Sequence, residues 1–283
     1  MGNAGIEVRP LTGTIGAEVF GIDLSRGLVE TQRAALHRAF LDHNVIFLRD
    51  QDLTPERLLD AARAFGTPGR YPLLNPIDGY PEIIEILKTE TDRINFGANW
   101  HSDTTYMPAP FLGTVLYALE TPPVGGDTNF ANLTAAYEGL SEGMKEMLGA
   151  MRIVNSSAQR RLGGRAKKMQ AMSAMKGNYG DDREVIEAVH PAVRRHPETG
   201  RKALFVSPSH VERFDGMTEE ESRPLLDYLC AHVVKSEYLC RFRWAPGSLA
   251  IWDNRCTLHQ AVNDYQGHRR RMHRVTLEGD RPC

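Results

Sequence analysis

Three runs near the C-terminal end, Tyr238-Leu239-Cys240-Arg241-Phe242-Arg243-Trp244, Leu249-Ala250-Ile251-Trp252 and His273-Arg274-Val275-Thr276-Leu277, decide the fold class. Each is short, apolar and aromatic, and each reads as a strand. Further back, Val45 to Leu48, Ile83 to Lys88, Phe111 to Leu119 and Ala203 to Val206 read the same way. Glu7 to Asp23 reads as two more short strands, punctuated by Gly13, Gly16 and Gly21. Helical periodicity appears from Thr31 to His43, where Ala35, Leu36, Ala39 and Phe40 share a face and Asn44 ends the pattern. Thr54 caps a second helix with Pro55 at its first position and Leu58, Leu59, Ala62 and Phe65 inward. Thr134 to Met151 and Thr218 to His232 are two more. Strands without a βαβ rhythm, covered by a few helices, predict a mainly β fold with helical cover (α+β), a sandwich or jelly roll.

Between these elements, Asn155 to Asp182 is rich in Arg, Lys, Gly and Met and poor in strand signals. Such a segment reads either as a solvated helix with loops or as a lid over an active site. With 283 residues the chain is expected to be one domain, 1–283, with that lid within 155–182.

Composition excludes several classes. Lys plus Arg total 34 against 36 Asp plus Glu, a net charge of -2, so a nucleic-acid partner is not expected. No apolar run approaches the roughly 18 residues that span a bilayer, and Met1 to Pro10 lacks a signal peptide's apolar core. A cytoplasmic protein with no membrane partner is expected, and a homo-oligomer. Cys230, Cys240, Cys256 and Cys283 lie far apart with no CxxC pair, which favours reduced thiols over a zinc site or disulfide framework.

The chemistry gathers at Asn99-Trp100-His101-Ser102-Asp103. Residues two apart on an extended backbone point to one side, so His101 and Asp103 can aim an imidazole and a carboxylate at one point. Downstream, Trp252-Asp253-Asn254-Arg255-Cys256-Thr257-Leu258-His259 supplies a second imidazole, His259. Two His and one carboxylate on one face of a metal, with open positions opposite, is the arrangement of non-heme iron(II) oxygenases. Arg270 and Arg274 follow within His268-Arg269-Arg270-Arg271-Met272-His273-Arg274. Arg270, Met272 and Arg274 share one strand face, and a guanidinium there can grip a carboxylate through two parallel hydrogen bonds. The other reading of this run is a basic, solvent-facing edge strand.

These residues carry a resemblance across nearly the whole chain. Leu11 to Val19, Trp100 to Asp103, Gly125-Gly126-Asp127-Thr128, His190-Pro191, Arg201 to Val206, Trp252 to Arg255 and Arg270 to Arg274 together resemble the family of taurine dioxygenase and chlorophenoxyacetate dioxygenase. The resemblance implies a double-stranded β-helix (jelly roll). It also implies Fe(II) held by His101, Asp103 and His259, with 2-oxoglutarate and O2 as cosubstrates. Thr128 and Arg270 would take the far carboxylate of 2-oxoglutarate, and Arg274 falls where the taurine enzyme grips its sulfonate. The implied activity is hydroxylation of a small anionic organic substrate, coupled to formation of succinate and CO2.

The substrate pocket departs from the taurine enzyme, which has a His and a Tyr at the positions aligned with Tyr71 and Leu74. An aromatic and an aliphatic residue favour an acidic head on a more apolar body: an aryloxyalkanoate, sulfonate or sulfate ester. Tyr71, Leu74 and Phe205 would pack that body beside Arg274. The alternatives are taurine dioxygenase proper, a zinc hydrolase using His101 and His259, and a jelly-roll binding protein without catalysis.

Overall fold

In the computed structural model, which describes residues 5–72, 74–164 and 185–283, strand alternation divides the apolar residues of the large sheet between two of three cores. The chain begins with the hairpin β1 (Glu7–Pro10) and β2 (Ala17–Phe20), followed by α1 (Glu30–His43), β3 (Val45–Leu48) and α2 (Pro55–Arg63). α1 ends where Asn44 turns left-handed at φ 64°, its N–H bonded to Phe40 O. α2 starts at the expected cap, the Thr54 hydroxyl accepting from Arg57 N–H with Pro55 following. Two short strands, β4 (Pro68–Gly69) and β5 (Pro76–Ile77), lead into β6 (Tyr80–Lys88), and β7 (Gly113–Glu120) follows the loop that carries His101 and Asp103.

Then come β8 (Thr128–Asn132), α3 (Leu133–Glu138), α4 (Glu142–Gly149) and β9 (Arg152–Ser156). The single helix expected from Thr134 to Met151 is therefore two. Asn132, not Thr134, caps the first by accepting from Thr134 and Ala135 N–H, and Ser141 caps the second. Gly139 sits at the break because a Cβ there would lie 2.1 Å from the Tyr238 hydroxyl. In the segment expected to hold a lid, Asn155 and Ser156 belong to β9 and Arg160–Leu162 is a 3-10 turn. The remainder of that segment, 165–182, lies outside the described residues.

The last third holds β10 (Glu187–Pro191), β11 (Val193–Arg195), β12 (Lys202–Leu204), β13 (Val211–Phe214), α5 (Glu219–His232), β14 (Leu239–Phe242), β15 (Leu249–Asp253), β16 (Thr257–Ala261) and β17 (Arg270–Leu277). The large sheet runs β1-β2-β3-β15-β7-β17-β6-β5, with β4 also on β17. A facing sheet runs β14-β8-β16, and smaller sheets are β10-β9-β13 and β11-β12. These paired sheets form the jelly roll.

In β7, β15 and β17 the odd-numbered positions Val115, Tyr117, Leu249, Ile251, Val275 and Leu277 pack under α1 and α2 against Leu36, Phe40 and Leu58. Even-numbered positions, Leu116, Ala118, Ala250, Trp252 and Met272, meet Phe130 and Phe242 of the facing sheet. A one-residue slip would exchange these faces, so burial on both sides fixes the register. β17 lies between β7 and β6, which overturns the edge-strand reading of its arginines. Arg270, Met272 and Arg274 point into the space between the sheets, while outward Arg271 pairs with Glu85 at 2.6 Å. Among the described residues no helix is long and apolar enough to cross a membrane.

Candidate metal centre

The imidazoles of His101 and His259 are brought together by backbone pairing. His101 N–H donates to His259 O at 3.0 Å and His259 N–H to His101 O at 2.8 Å, an isolated antiparallel bridge between the loop before β7 and strand β16. The ring centroids lie 4.1 Å apart. Asp103, two residues on, places Oδ1 3.6 Å from His101 Nε2 and 3.8 Å from His259 Nε2. The three residues form one group whose ligand atoms all fall within 4.8 Å of one another. Thr104, immediately after, is held at φ 52°, where a β-branched residue is strained, and its hydroxyl accepts from Phe111 N–H at 3.1 Å.

Protonation suits a divalent cation. Burial lowers the pKa of His101, and its Nδ1–H donates to Asn99 O at 2.7 Å, which leaves the Nε2 lone pair for a metal. Burial and the neighbouring His101 hold His259 well below its ordinary value. Burial also opposes ionisation of Asp103, but Arg274, His259, His101 and the Thr114 hydroxyl outweigh it and keep the carboxyl far below its usual range. Two neutral imidazoles and one carboxylate, with no thiolate, are donors of the kind that holds iron(II).

Oδ1 and Oδ2 of Asp103 have different surroundings. Oδ2 accepts from Thr114 Oγ1 at 2.8 Å and Asn254 Nδ2 at 3.2 Å, and pairs with Arg274 Nη2 at 2.5 Å. Arg274 therefore touches the carboxylate of the cluster, a contact its sequence position did not suggest. Its guanidinium also lies 5.1 Å over the Tyr71 ring, and its buried Nε has no hydrogen-bond partner among the described residues.

A cavity beside the cluster is lined by Thr128, Trp252, His259, Arg270 and Arg274. Arg270 is buried, its Nε has no hydrogen-bond partner among the described residues, and burial depresses its pKa. A desolvated guanidinium is costly unless an anion meets it, so this wall fits a carboxylate ligand. Thr128 Oγ1 accepts from Trp244 Nε1–H at 3.0 Å, which leaves its own proton to donate. Gly126, at φ 71°, keeps this corner open, since a Cβ would press on Pro122, Tyr265 and the Arg270 stem.

Of the residues expected to pack a substrate, Tyr71 lies beside Arg274 and Phe111, and Leu74 is buried in the core between the sheets. Phe205 is buried against His190 and Arg194, at 5.8 Å and 5.2 Å. Sequence reasoning assigned no role to Thr114, Asn254 or His210. His210 meets the His101 ring edge-on at 6.3 Å and sits 3.0 Å from Thr105 Oγ1. Only Asn254 carried a signal, as part of the quoted Trp252 to Arg255 stretch.

A second buried group, His196, Asp253 and Cys256, also meets the bare distance test for a metal. Here Arg255 donates to Oδ1 at 2.8 Å and to Oδ2 at 2.6 Å of Asp253, and His196 Nε2 meets Oδ2 at 2.9 Å. Arg255 also reaches Glu198 at 2.7 Å, and burial pushes the Cys256 thiol well up. This group is internally neutralised.

Comparison with known proteins agrees with the geometry. The family described as "Taurine catabolism dioxygenase TauD, TfdA family" matches residues 7–276. An alpha-ketoglutarate-dependent sulfate ester dioxygenase of Pseudomonas putida is 33% identical, over 98% of this chain and 91% of that protein. An (S)-phenoxypropionate/alpha-ketoglutarate-dioxygenase of Sphingobium herbicidovorans is 33% identical, over 97% of this chain and 95% of its own. The crystal structure of a taurine dioxygenase from Burkholderia xenovorans superposes with a TM-score of 0.83 at 35% identity, covering 98% of this chain and 92% of that one.

Proposed function

The chain belongs to the TauD, TfdA dioxygenase family, and on that premise we propose that it hydroxylates a small organic anion at a metal held by His101, Asp103 and His259. It is an Fe(II)- and 2-oxoglutarate-dependent dioxygenase with O2 as the second cosubstrate. Bound iron(II) supplies the chemistry that couples decarboxylation of 2-oxoglutarate, to succinate and CO2, with hydroxylation of a C–H bond. The protein's part is to bind, orient and exclude water. In this reading Arg270 and the Thr128 hydroxyl take the far carboxylate of 2-oxoglutarate. The observation that carries it is the buried guanidinium of Arg270, whose Nε has no hydrogen-bond partner among the described residues, in the same cavity as His101 and His259.

Near-equal identity to enzymes named for a sulfate ester, a phenoxypropionate and taurine does not choose among those substrates. Residues of this chain narrow the choice. Arg274 keeps a buried Nε without a hydrogen-bond partner among the described residues for an incoming anionic head, with the Tyr71 ring beside it; in this reading Tyr71, Leu74 and Phe205 pack the apolar body. Aryloxyalkanoates, alkyl sulfates and larger sulfonates are the proposed substrates, and taurine, with its charged amine, a poor one. Four free, scattered thiols support the proposed cytoplasmic setting. The test compares an aryloxypropionate with its amide for succinate release under matched conditions. The acid is expected to drive turnover and the amide to fail; equal turnover would remove Arg274 from the substrate pocket.

A further inference from the structure

We infer that Thr114 and Asn254, acting with Arg274, are positioning residues that restrict Asp103 to ligation through Oδ1 alone. The inference rests on the metal assignment proposed above and goes one layer outward from it. The three residues arrive from three places, β7, the turn after β15, and β17, and converge on one oxygen atom. Thr114 Oγ1 donates to Oδ2 at 2.8 Å, Asn254 Nδ2 donates at 3.2 Å, and Arg274 Nη2 pairs at 2.5 Å. A carboxylate oxygen saturated by three donors has no lone pair left for a cation. Oδ1 makes none of these contacts and faces both imidazoles.

Thr114 is the hub of the arrangement. Its hydroxyl also receives Asn254 Nδ2 at 3.3 Å and Arg274 Nη2 at 3.5 Å, so one side chain aligns the other two. Asn254 is fixed in turn: its Oδ1 accepts from Trp252 Nε1–H at 2.9 Å, and its backbone oxygen accepts from the hydroxyl of Ser102, next to Asp103. All four side chains are almost wholly buried. The chemical consequence concerns the 2-oxo acid. A bidentate cosubstrate needs two adjacent metal positions, and a carboxylate that swings to bind through both oxygens takes one of them. The clamp on Oδ2 therefore preserves cosubstrate chelation more than it strengthens metal binding.

The experiment separates those two quantities in the full-length protein without oxygen. Iron(II) affinity is measured by titration of the metal alone, and chelation by the visible charge-transfer band that forms on adding 2-oxoglutarate. Thr114→Val keeps the shape and removes the hydroxyl; it is expected to weaken chelation about 10–100-fold, the scale on which losing such a contact lowers metal affinity or activity. Iron affinity should fall by clearly less, and Thr114→Ser should restore the band. Equal loss of both affinities, no change in either, or failure of the Ser variant to rescue would overturn the inference. Asn254→Ala repeats the test should Thr114→Val not fold. A third measurement needs no variant: in wild-type protein with 13C-labelled Asp, a wide splitting of the metal-sensitive carboxylate stretches supports single-oxygen ligation, and a narrow one overturns it. Absence of iron binding in the wild type would instead sink the metal assignment itself.

Discussion

His101, Asp103 and His259 in one region, and His196, Asp253 and Cys256 in another, are both buried groups with ligand atoms within reach of one cation. Distance alone does not tell them apart; the surrounding partners do. Asp253 has both oxygens engaged by Arg255, and His196 and Glu198 complete a neutral network. Asp103 has donors on Oδ2 only and presents Oδ1 to two imidazoles kept neutral by burial. The nearby arginines differ in the same way. Arg255 meets two carboxylates, whereas Arg270 is buried with an Nε that has no partner among the described residues. A structural ion network closes on itself, and a binding site leaves its charges to be completed from outside.

Substitutions can break or sharpen this contrast, and the largest effect belongs to the metal. Asp103→Ala should abolish measurable iron(II) binding, while Cys256→Ala should leave the titration unchanged. Iron binding that depended on Cys256 would reverse the assignment of the two groups. Next is Arg255→Ala, which strands the buried Asp253 charge and should cost about 3–5 kcal/mol of folding stability, read as a lower denaturation midpoint. Arg270→Ala should act oppositely. Stability should hold or rise, because a desolvated cation is removed, while 2-oxoglutarate binding weakens by about 2–5 kcal/mol. Calorimetric titration and melting curves on the same two variants measure both halves.

The smallest effect is on pH dependence. Burial raises the Asp253 pKa, but the hydrogen bonds and charges of Arg255 and His196 outweigh it and bring the group from 3.8 to about 2. A depressed carboxylate pKa adds stability that is complete above the unfolded value and lost as pH falls through the folded one, on the order of 2 kcal/mol here. The stability gap between wild type and Asp253→Asn should therefore narrow as pH drops from about 4 to about 2. A gap that stayed constant would remove Asp253 from the acid response.

Periodicity and pair spacing made much of this legible. The mainly β fold, α1, α2 and α5, and the shared face of Arg270 and Arg274 all follow from repeats of 3.6 and 2 residues. The His101–Asp103 pair was legible from the reading that i and i+2 share a strand side, although the structure holds the pair in a loop with Asp103 in a turn. Strand order was not, so the arginines of β17 could be read as an edge although the strand is interior. β8 and β9 escaped because Thr128-Asn129-Phe130-Ala131-Asn132 and Arg152-Ile153-Val154-Asn155-Ser156 are five residues long and polar at their ends. The break between α3 and α4 depends on Tyr238, nearly 100 residues away. Thr114 looks like any strand threonine until β7, β15 and β17 are placed side by side.

The central claim is that His101, Asp103 and His259 hold iron(II) beside a 2-oxoglutarate site completed by Arg270. Anaerobic visible spectroscopy tests it most directly. Adding iron(II) and then 2-oxoglutarate to the wild-type protein should produce the charge-transfer band of the chelate, and the same additions to Asp103→Ala should produce none. A wild-type protein that gives no band, or an Asp103→Ala protein that keeps it, would contradict the claim.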